Sequence, residues 1–439
     1  MSVHLPPGRD TTAVDALVAP GRPPGRYRWI VLGVATFTQA ASCFFVQGVG
    51  AMGVQLQRDL QLDTAQLGLL LSAAQLVPLV GLLVAGELLD RYDERWVVGI
   101  GALVVTAGLA GGSLAPGYPA LLLALLVVGA GYSTAQPGGS KSVATWFDAD
   151  RRGFAMGVRQ AGLPLGGALA SALLPYLAEE FGRRAALLAG ALVALTGACV
   201  FMGCYRRPPV APGGPLDRRP PAAPDAPPLR SKLRLRLRLL GEPAMVRIVL
   251  SGTSMVTVQC GLGVLSALYL HDVTGLGPGP AALVLVVTQV AGVAGRIGLA
   301  AWSDRSRAGR YAPVRASMAA VIAGMALLLT PLGRSPVAAC LVFAWLGFFG
   351  IGWYGPWVAC VAESAPPGRT GFALGLAMAV TQIAVVLAPP ALGLLKDATH
   401  GYGPAWGALA TVTALALALT LRTGRAGSGS SPGSGSGSG

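Results

Sequence analysis

Apolar residues in this chain fall into long runs, each about the length of a bilayer crossing, and the runs are bounded by charges, Gly or Pro. A crossing helix needs roughly 20 mostly apolar residues. Twelve runs meet that need, at about 28–53, 64–89, 96–114, 119–145, 153–177, 184–205, 245–270, 280–303, 313–332, 335–362, 370–396 and 403–421. None carries the ten-residue alternation of a barrel strand, and a backbone facing lipid must satisfy its own polar groups. The pattern predicts an all-α polytopic membrane protein with twelve transmembrane helices.

Composition narrows this further. Of 439 residues, 53% are apolar and only 12% charged, where a soluble domain carries roughly 25% charged. A water-soluble enzyme is excluded. The net charge of +14 suggests a nucleic-acid partner until the charges are located. With both termini on one side, that side's connections hold 26 Lys and Arg and the opposite side's hold 5. The asymmetry follows the positive-inside rule, so both termini are expected in the cytoplasm, in a multi-pass protein of the plasma membrane, with no nucleic acid involved.

Ten prolines and a run of basic residues between Tyr205 and Arg247 separate six spans from six. Such composition cannot bury a core. The expected organisation is a disordered tail (1–27), a six-helix bundle (28–205), a cytoplasmic linker (206–244), a second six-helix bundle (245–421) and a disordered Gly/Ser tail (422–439). Within the linker, KLRLRLRL at 232–239 is a solvated linker end or a segment lying on anionic lipid. The polar first 25 residues lack the apolar core of a cleaved signal peptide. The six cysteines have neither disulfide nor zinc spacing and read as packing residues. His4, His271 and His400 have no second ligand nearby, and no phosphate loop joins a strand to a helix, so neither a metal, a cofactor nor ATP is expected.

The chain repeats itself at half its length. RRGFAMG at 151–157 returns as RTGFALG at 369–375, and GELLDRYDER at 86–95 is echoed by AAWSDRSRAGR at 300–310. These echoes fall at matching connections of two six-helix halves. On these residues the chain resembles the major facilitator superfamily of secondary transporters, whose signature Gly, Asp and Arg match Gly86, Asp90, Arg91 and Arg95. The resemblance implies two pseudo-symmetric bundles around a central cavity and alternating access by rocking of the halves. Asp90, at the end of its span, is placed to accept hydrogen bonds from a helix of the other half, and Asp304 with Arg305 occupies the corresponding position. Gly86, Asp90, Arg91, Arg95, Asp304 and Arg305 are therefore the gating candidates.

Charges at membrane depth point to the cargo. At 1.5 Å per residue, Arg296 lies about 12 Å inside the end of its span, Arg159 about 9 Å and Lys141 about 8 Å. No Asp or Glu occupies the middle of any span. A buried cation without a fixed anion favours a partner that arrives carrying the charge, and an organic carboxylate meets the fork of an Arg. GRIGLAAWSDR at 295–305 also resembles the corresponding span of monocarboxylate and oxalate-type facilitators, which implies carboxylate binding by Arg296; the Pro usual there is Ile297, and the usual acid one turn earlier is Gly292. Neutral polar candidates are Gln39, Gln136, Gln259 and Gln382, each also able to serve as a helix-to-helix bond. WLGFFGIGWYGPW at 345–357 interleaves rings with glycines, and Trp353, Tyr354 and Trp357 are candidates to wall the cavity.

The expected function is secondary transport of a small organic anion by a monomer, with proton symport, uniport and exchange all open. The alternatives are efflux of apolar or cationic compounds, which GVRQAGLPLGG at 157–167 partly resembles, and a non-transporting receptor on the same fold.

Overall fold

The computed structural model describes residues 26–62, 64–208, 241–307 and 309–428. The expected N-terminal tail up to residue 25, most of the linker with its KLRLRLRL run, and residues 429–439 lie outside the described residues. Everything regular among the described residues is helical, in fifteen α-helices. They are α1 (Tyr27–Gly48), α2 (Gly53–Leu60), α3 (Thr64–Leu76), α4 (Pro78–Arg91), α5 (Glu94–Ser113), α6 (Tyr118–Tyr132), α7 (Ala135–Trp146) and α8 (Ala149–Cys204) in the first half. The second half holds α9 (Pro243–Asp272), α10 (Pro278–Arg305), α11 (Ala312–Leu328), α12 (Pro336–Gly352), α13 (Tyr354–Glu363), α14 (Thr370–Thr399) and α15 (Gly403–Ser428).

Nine helices among the described residues are long and apolar enough to cross a membrane. The difference from twelve expected spans has three sources. α8 runs through 56 residues and is divided at Gly182, whose φ of +78° only glycine adopts without strain. α11, at 17 residues, falls just short of span length. The span expected over 64–89 is broken into α3 and α4 at Val77. Proline explains that break: Pro78 has no N–H to give the carbonyl of Ala74. The same chemistry separates α6 from α7 before Pro137 and α12 from α13 before Pro356. At the C-terminus α15 continues to Ser428, so residues 422–428 are helical where a disordered tail was expected; no proline occurs there before Pro432 to stop the last turn.

Two hydrophobic clusters hold the helices together. One joins Leu82, Leu89 and Met156 of the first half to Met255, Trp357, Phe372 and Leu374 of the second. The other, from Cys43 and Phe45 to Leu125 and Leu187, belongs to the first half alone. The halves therefore share a core toward the end where α4 stops, α8 and α14 start and α10 stops. This end is called the linker face, because Arg207, the first linker residue to make side-chain contacts, bonds there to Glu94 and to the carbonyl of Tyr92.

Small residues make that closeness possible. A Cβ on Gly86 would lie 2.7 Å from the carbonyl oxygen of Gly371, and one on Gly355 would lie 2.9 Å from the Cα of Gly157. These approaches tie α4 to α14 and α13 to α8, and they leave room for a cavity farther from the linker face.

Candidate functional site

Between the halves lies a cavity of about 190 Å³, lined from α1, α3, α4, α6, α7 and α8 on one side and α9, α10, α13 and α14 on the other. Counted from the helix ends, Arg296 is about 12 Å, Gln136 about 15 Å and Gln382 about 18 Å from the linker face, near the middle of a ~30 Å hydrocarbon layer. A volume below the ~300–1,000 Å³ of drug-sized pockets implies a small occupant. Among the described residues, Arg296 is the only charged side chain on the lining, and no acid lies there.

Close packing of α10 on α12 places Arg296. A Cβ on Gly352 would meet the Cα of Gly295 at 2.7 Å, so only paired glycines allow this crossing. Arg296 is 2% exposed. Its Nε donates to the carbonyl of Ile351 at 3.2 Å and its Nη1 to the carbonyl of Gln160, from the other half, at 2.5 Å. Its carbon Cζ sits 5.7 Å from the ring centre of Tyr354. Nη2 has no hydrogen bond among the described residues, and the group borders the cavity. Two N–H groups thus hold the guanidinium while one edge remains for a ligand.

Arg159 is also fully buried, and its hydrogen bonds stay inside the first half, with Nε left without one among the described residues. Nη1 donates to Ser140 Oγ at 2.8 Å, and Nη2 donates to Gln39 Oε1 at 2.6 Å and to the carbonyl of Ala135 at 2.7 Å. Neither Arg159 nor Gln39 is on the cavity lining. Lys141 lies elsewhere again: its Nζ is 3.5 Å from Asp90 and 3.1 Å from Glu94, and it donates to the carbonyl of Leu89. The three cations predicted to share one site are therefore separated, and only Arg296 faces the cavity. Of the predicted neutral residues, Gln136, Gln259, Gln382 and Tyr354 line it. Trp353 and Trp357 are fully buried beside it, with Trp357 Nε1 donating to the carbonyl of Ile248 at 2.7 Å.

Five polar residues of the lining are not among the ligand candidates of the sequence: Gln47, Gln75, Tyr132, Ser133 and Thr381. Gln75 accepts two bonds from Gln382 Nε2, at 3.0 Å on its backbone oxygen and 3.2 Å on Oε1. Its place next to the Pro78 break was the available signal.

At the linker face the two sequence repeats meet crosswise. Asp90 accepts the N–H of Gly371 at 2.9 Å and of Phe372 at 2.8 Å, capping α14; Asp304 accepts the N–H of Gly153 at 2.8 Å and of Phe154 at 2.6 Å, the fifth and sixth residues of α8. Each carboxylate thus binds two backbone N–H groups near the start of a helix from the other half. Lys141 braces Asp90, while Arg310 braces Asp304 at 2.5 Å and Glu363 at 2.8 Å. Arg310, Glu363 and Glu94 join these ion pairs and are not among the gating candidates of the sequence. Arg91 and Arg305 are exposed, and Arg95 stacks its guanidinium near Trp96 at 5.6 Å. Burial works against the charge of Arg207, but the carboxylates of Glu94 and Asp93 outweigh it and hold the group above its ordinary range.

The family profile described as Major Facilitator Superfamily matches residues 35–389. An uncharacterized MFS-type transporter of Mycobacterium tuberculosis (strain CDC 1551 / Oshkosh) is 26% identical over 91% of this chain and 83% of its own length. Monocarboxylate transporter 3 of Rattus norvegicus is 29% identical over 87% of this chain and 76% of its own. Among solved structures, the human organic anion transporter MFSD10 superposes with a TM-score of 0.74 at 16% identity, covering 90% of this chain and 100% of that one, a likeness of fold.

Proposed function

The chain belongs to the Major Facilitator Superfamily and is a multi-pass secondary transporter of a small organic solute; from that premise we propose that the solute is an organic anion, a carboxylate, moved by alternating access. The observation that carries this reading is the edge of Arg296, buried at mid-depth, turned to a cavity without an acid and bonded otherwise only to carbonyls. A buried guanidinium in that setting is electrostatically incomplete, and a carboxylate completes it with charge-assisted bonds. The names of the rat and human relatives support the same class. A cationic cargo fits poorly, because the lining would add a second positive charge to the first.

Twelve spans in two six-helix bundles, joined by the linker at 206–244, with both termini and the linker face in the cytoplasm, are the arrangement this proposal uses. The crossed caps then close the cytoplasmic side, and rocking breaks them to release cargo there. With no acid on the lining, an accompanying proton rides on the substrate itself or on the carboxylates of the linker face. Uptake into proteoliposomes tests the site. Arg296→Gln is expected to abolish carboxylate flux while the purified protein keeps its melting temperature within a few degrees; unchanged flux of every carboxylate the parent carries would falsify it.

A further inference from the structure

Five glutamines line the cavity: Gln47, Gln75, Gln136, Gln259 and Gln382. A single guanidinium suffices for one carboxylate, so the amides need another explanation. Each amide offers two N–H donors and a carbonyl acceptor. A carboxylate can only accept, and it is repelled by an amide oxygen. An alkyl chain does neither. A hydroxyl donates and accepts, and a row of hydroxyls is the ligand that matches a row of amides.

In the described state one pair of amides bonds to each other and another amide bonds to two tyrosine hydroxyls. Gln382 Nε2 donates to Gln75 Oε1 at 3.2 Å and to its backbone oxygen at 3.0 Å. Gln136 Oε1 accepts from the hydroxyl of Tyr354 at 2.9 Å, while its Nε2 donates to Tyr132 at 3.2 Å. Gln259 Oε1 is buried with no donor at all. An acceptor left in that condition favours a partner bearing O–H. The first two contacts also cross between the halves, so a ligand that takes them over sits on the path along which the halves separate.

We propose that the substrate is a small polyhydroxylated carboxylate, of the sugar-acid class, with its carboxylate on Arg296 and its hydroxyls on the cavity glutamines. The inference rests on the anion reading above and sharpens it. Simple alkyl carboxylates leave several amides unmatched, at a loss of roughly tenfold in affinity for each. Neutral sugars leave Arg296 unmatched.

The test uses full-length purified protein and three probes of equal carbon number, D-gluconate, hexanoate and D-glucose, read by ligand-induced thermal shift and by counterflow in proteoliposomes. Gluconate is expected to bind at least tenfold more tightly than either of the others and to be the one that exchanges. The double substitution Gln259→Leu with Gln382→Leu is expected to erase the preference for gluconate over hexanoate while leaving carboxylate binding. Hexanoate equal to gluconate overturns the hydroxyl inference and leaves the anion reading standing. Glucose equal to gluconate, with binding kept in Arg296→Gln, overturns the anion reading as well. Absence of any shift or exchange with gluconate, and with D-glucuronate in its place, overturns the sugar-acid assignment; hexanoate in the same assay then reports whether the anion reading survives.

Discussion

Removing one crossed cap is expected to open the linker face by a calculable amount. In Asp304→Ala the N–H groups of Gly153 and Phe154 lose acceptors at 2.8 and 2.6 Å. A hydrogen bond to a charged group is worth about 1.5–3 kcal/mol. Two of them give about 3–6 kcal/mol, and water reaching the freed N–H groups returns part, leaving about 2–4 kcal/mol. Both bonds exist only while the halves touch, so the whole difference acts on the equilibrium between closed and open. At 1.4 kcal/mol per factor of ten, the open form gains roughly 30- to 700-fold. Cys260 lines the cavity and serves as the reporter once the other five cysteines are replaced. A membrane-impermeant maleimide applied from the linker side is expected to label Cys260 far faster in Asp304→Ala than in the parent. Arg305→Ala, which alters an exposed neighbour, is the control and is expected to change nothing. Labelling of Asp304→Ala within twofold of the parent refutes the idea that the cap holds this face shut.

Other outcomes follow from single contacts. Gly371→Val introduces a Cβ 2.7 Å from Asp90 Oδ1 and 2.9 Å from the Gly86 carbonyl, so it is expected to separate α4 from α14, raise Cys260 labelling and abolish flux, in a protein that still elutes as one species on gel filtration. Arg159→Gln disrupts the bonds to Gln39, Ser140 and Ala135 away from the cavity; it is expected to lower the melting temperature more than Arg296→Gln and to raise KM less. Tyr354→Phe removes the bond to Gln136 across the halves but keeps the ring beside Arg296; a loss of about 1 kcal/mol from the contact between the halves is expected to speed Cys260 labelling roughly fivefold. Trp357→Phe removes one of the donors to the buried carbonyl of Ile248, which keeps the hydroxyl of Ser251 at 2.9 Å, costing about 0.5–1.5 kcal/mol of stability without a change in which carboxylates compete.

What the sequence revealed depended on whether the information was periodic or spatial. Helices, the half-chain repeat and the depth of Arg296 are one-dimensional properties, and counting residues from a helix end recovers them. Arg159 and Arg296 look alike by that count, yet one is bonded within its own half and the other borders the cavity. Which face of a helix meets a neighbour decides this, and helices buried on nearly all sides carry little polar patterning to mark the face. Lys141, a substrate candidate by its count from the helix end, is paired instead with Asp90 and Glu94, which reach it from a helix end some fifty residues earlier. Gln75 was hidden by the reading of 64–89 as one unbroken span, although Pro78 is visible to any reader of the chain. In the aromatic run near 345–357, Tyr354 borders the cavity, Trp353 and Trp357 are core and Trp345 is exposed.

The crossed arrangement of Asp90 and Asp304 has the form of an isologous interface, in which each partner offers the other the same group. Two copies of one helical half, related by a two-fold axis, would form both contacts from one gene product. Joining the halves in one chain removes that obligation of identity, and the two contacts differ in their countercharge, a lysine within a helix at one and an arginine from a connecting turn at the other. Selection can therefore retune one contact without touching its twin, and the resistance to opening need not be shared equally between the duplicates.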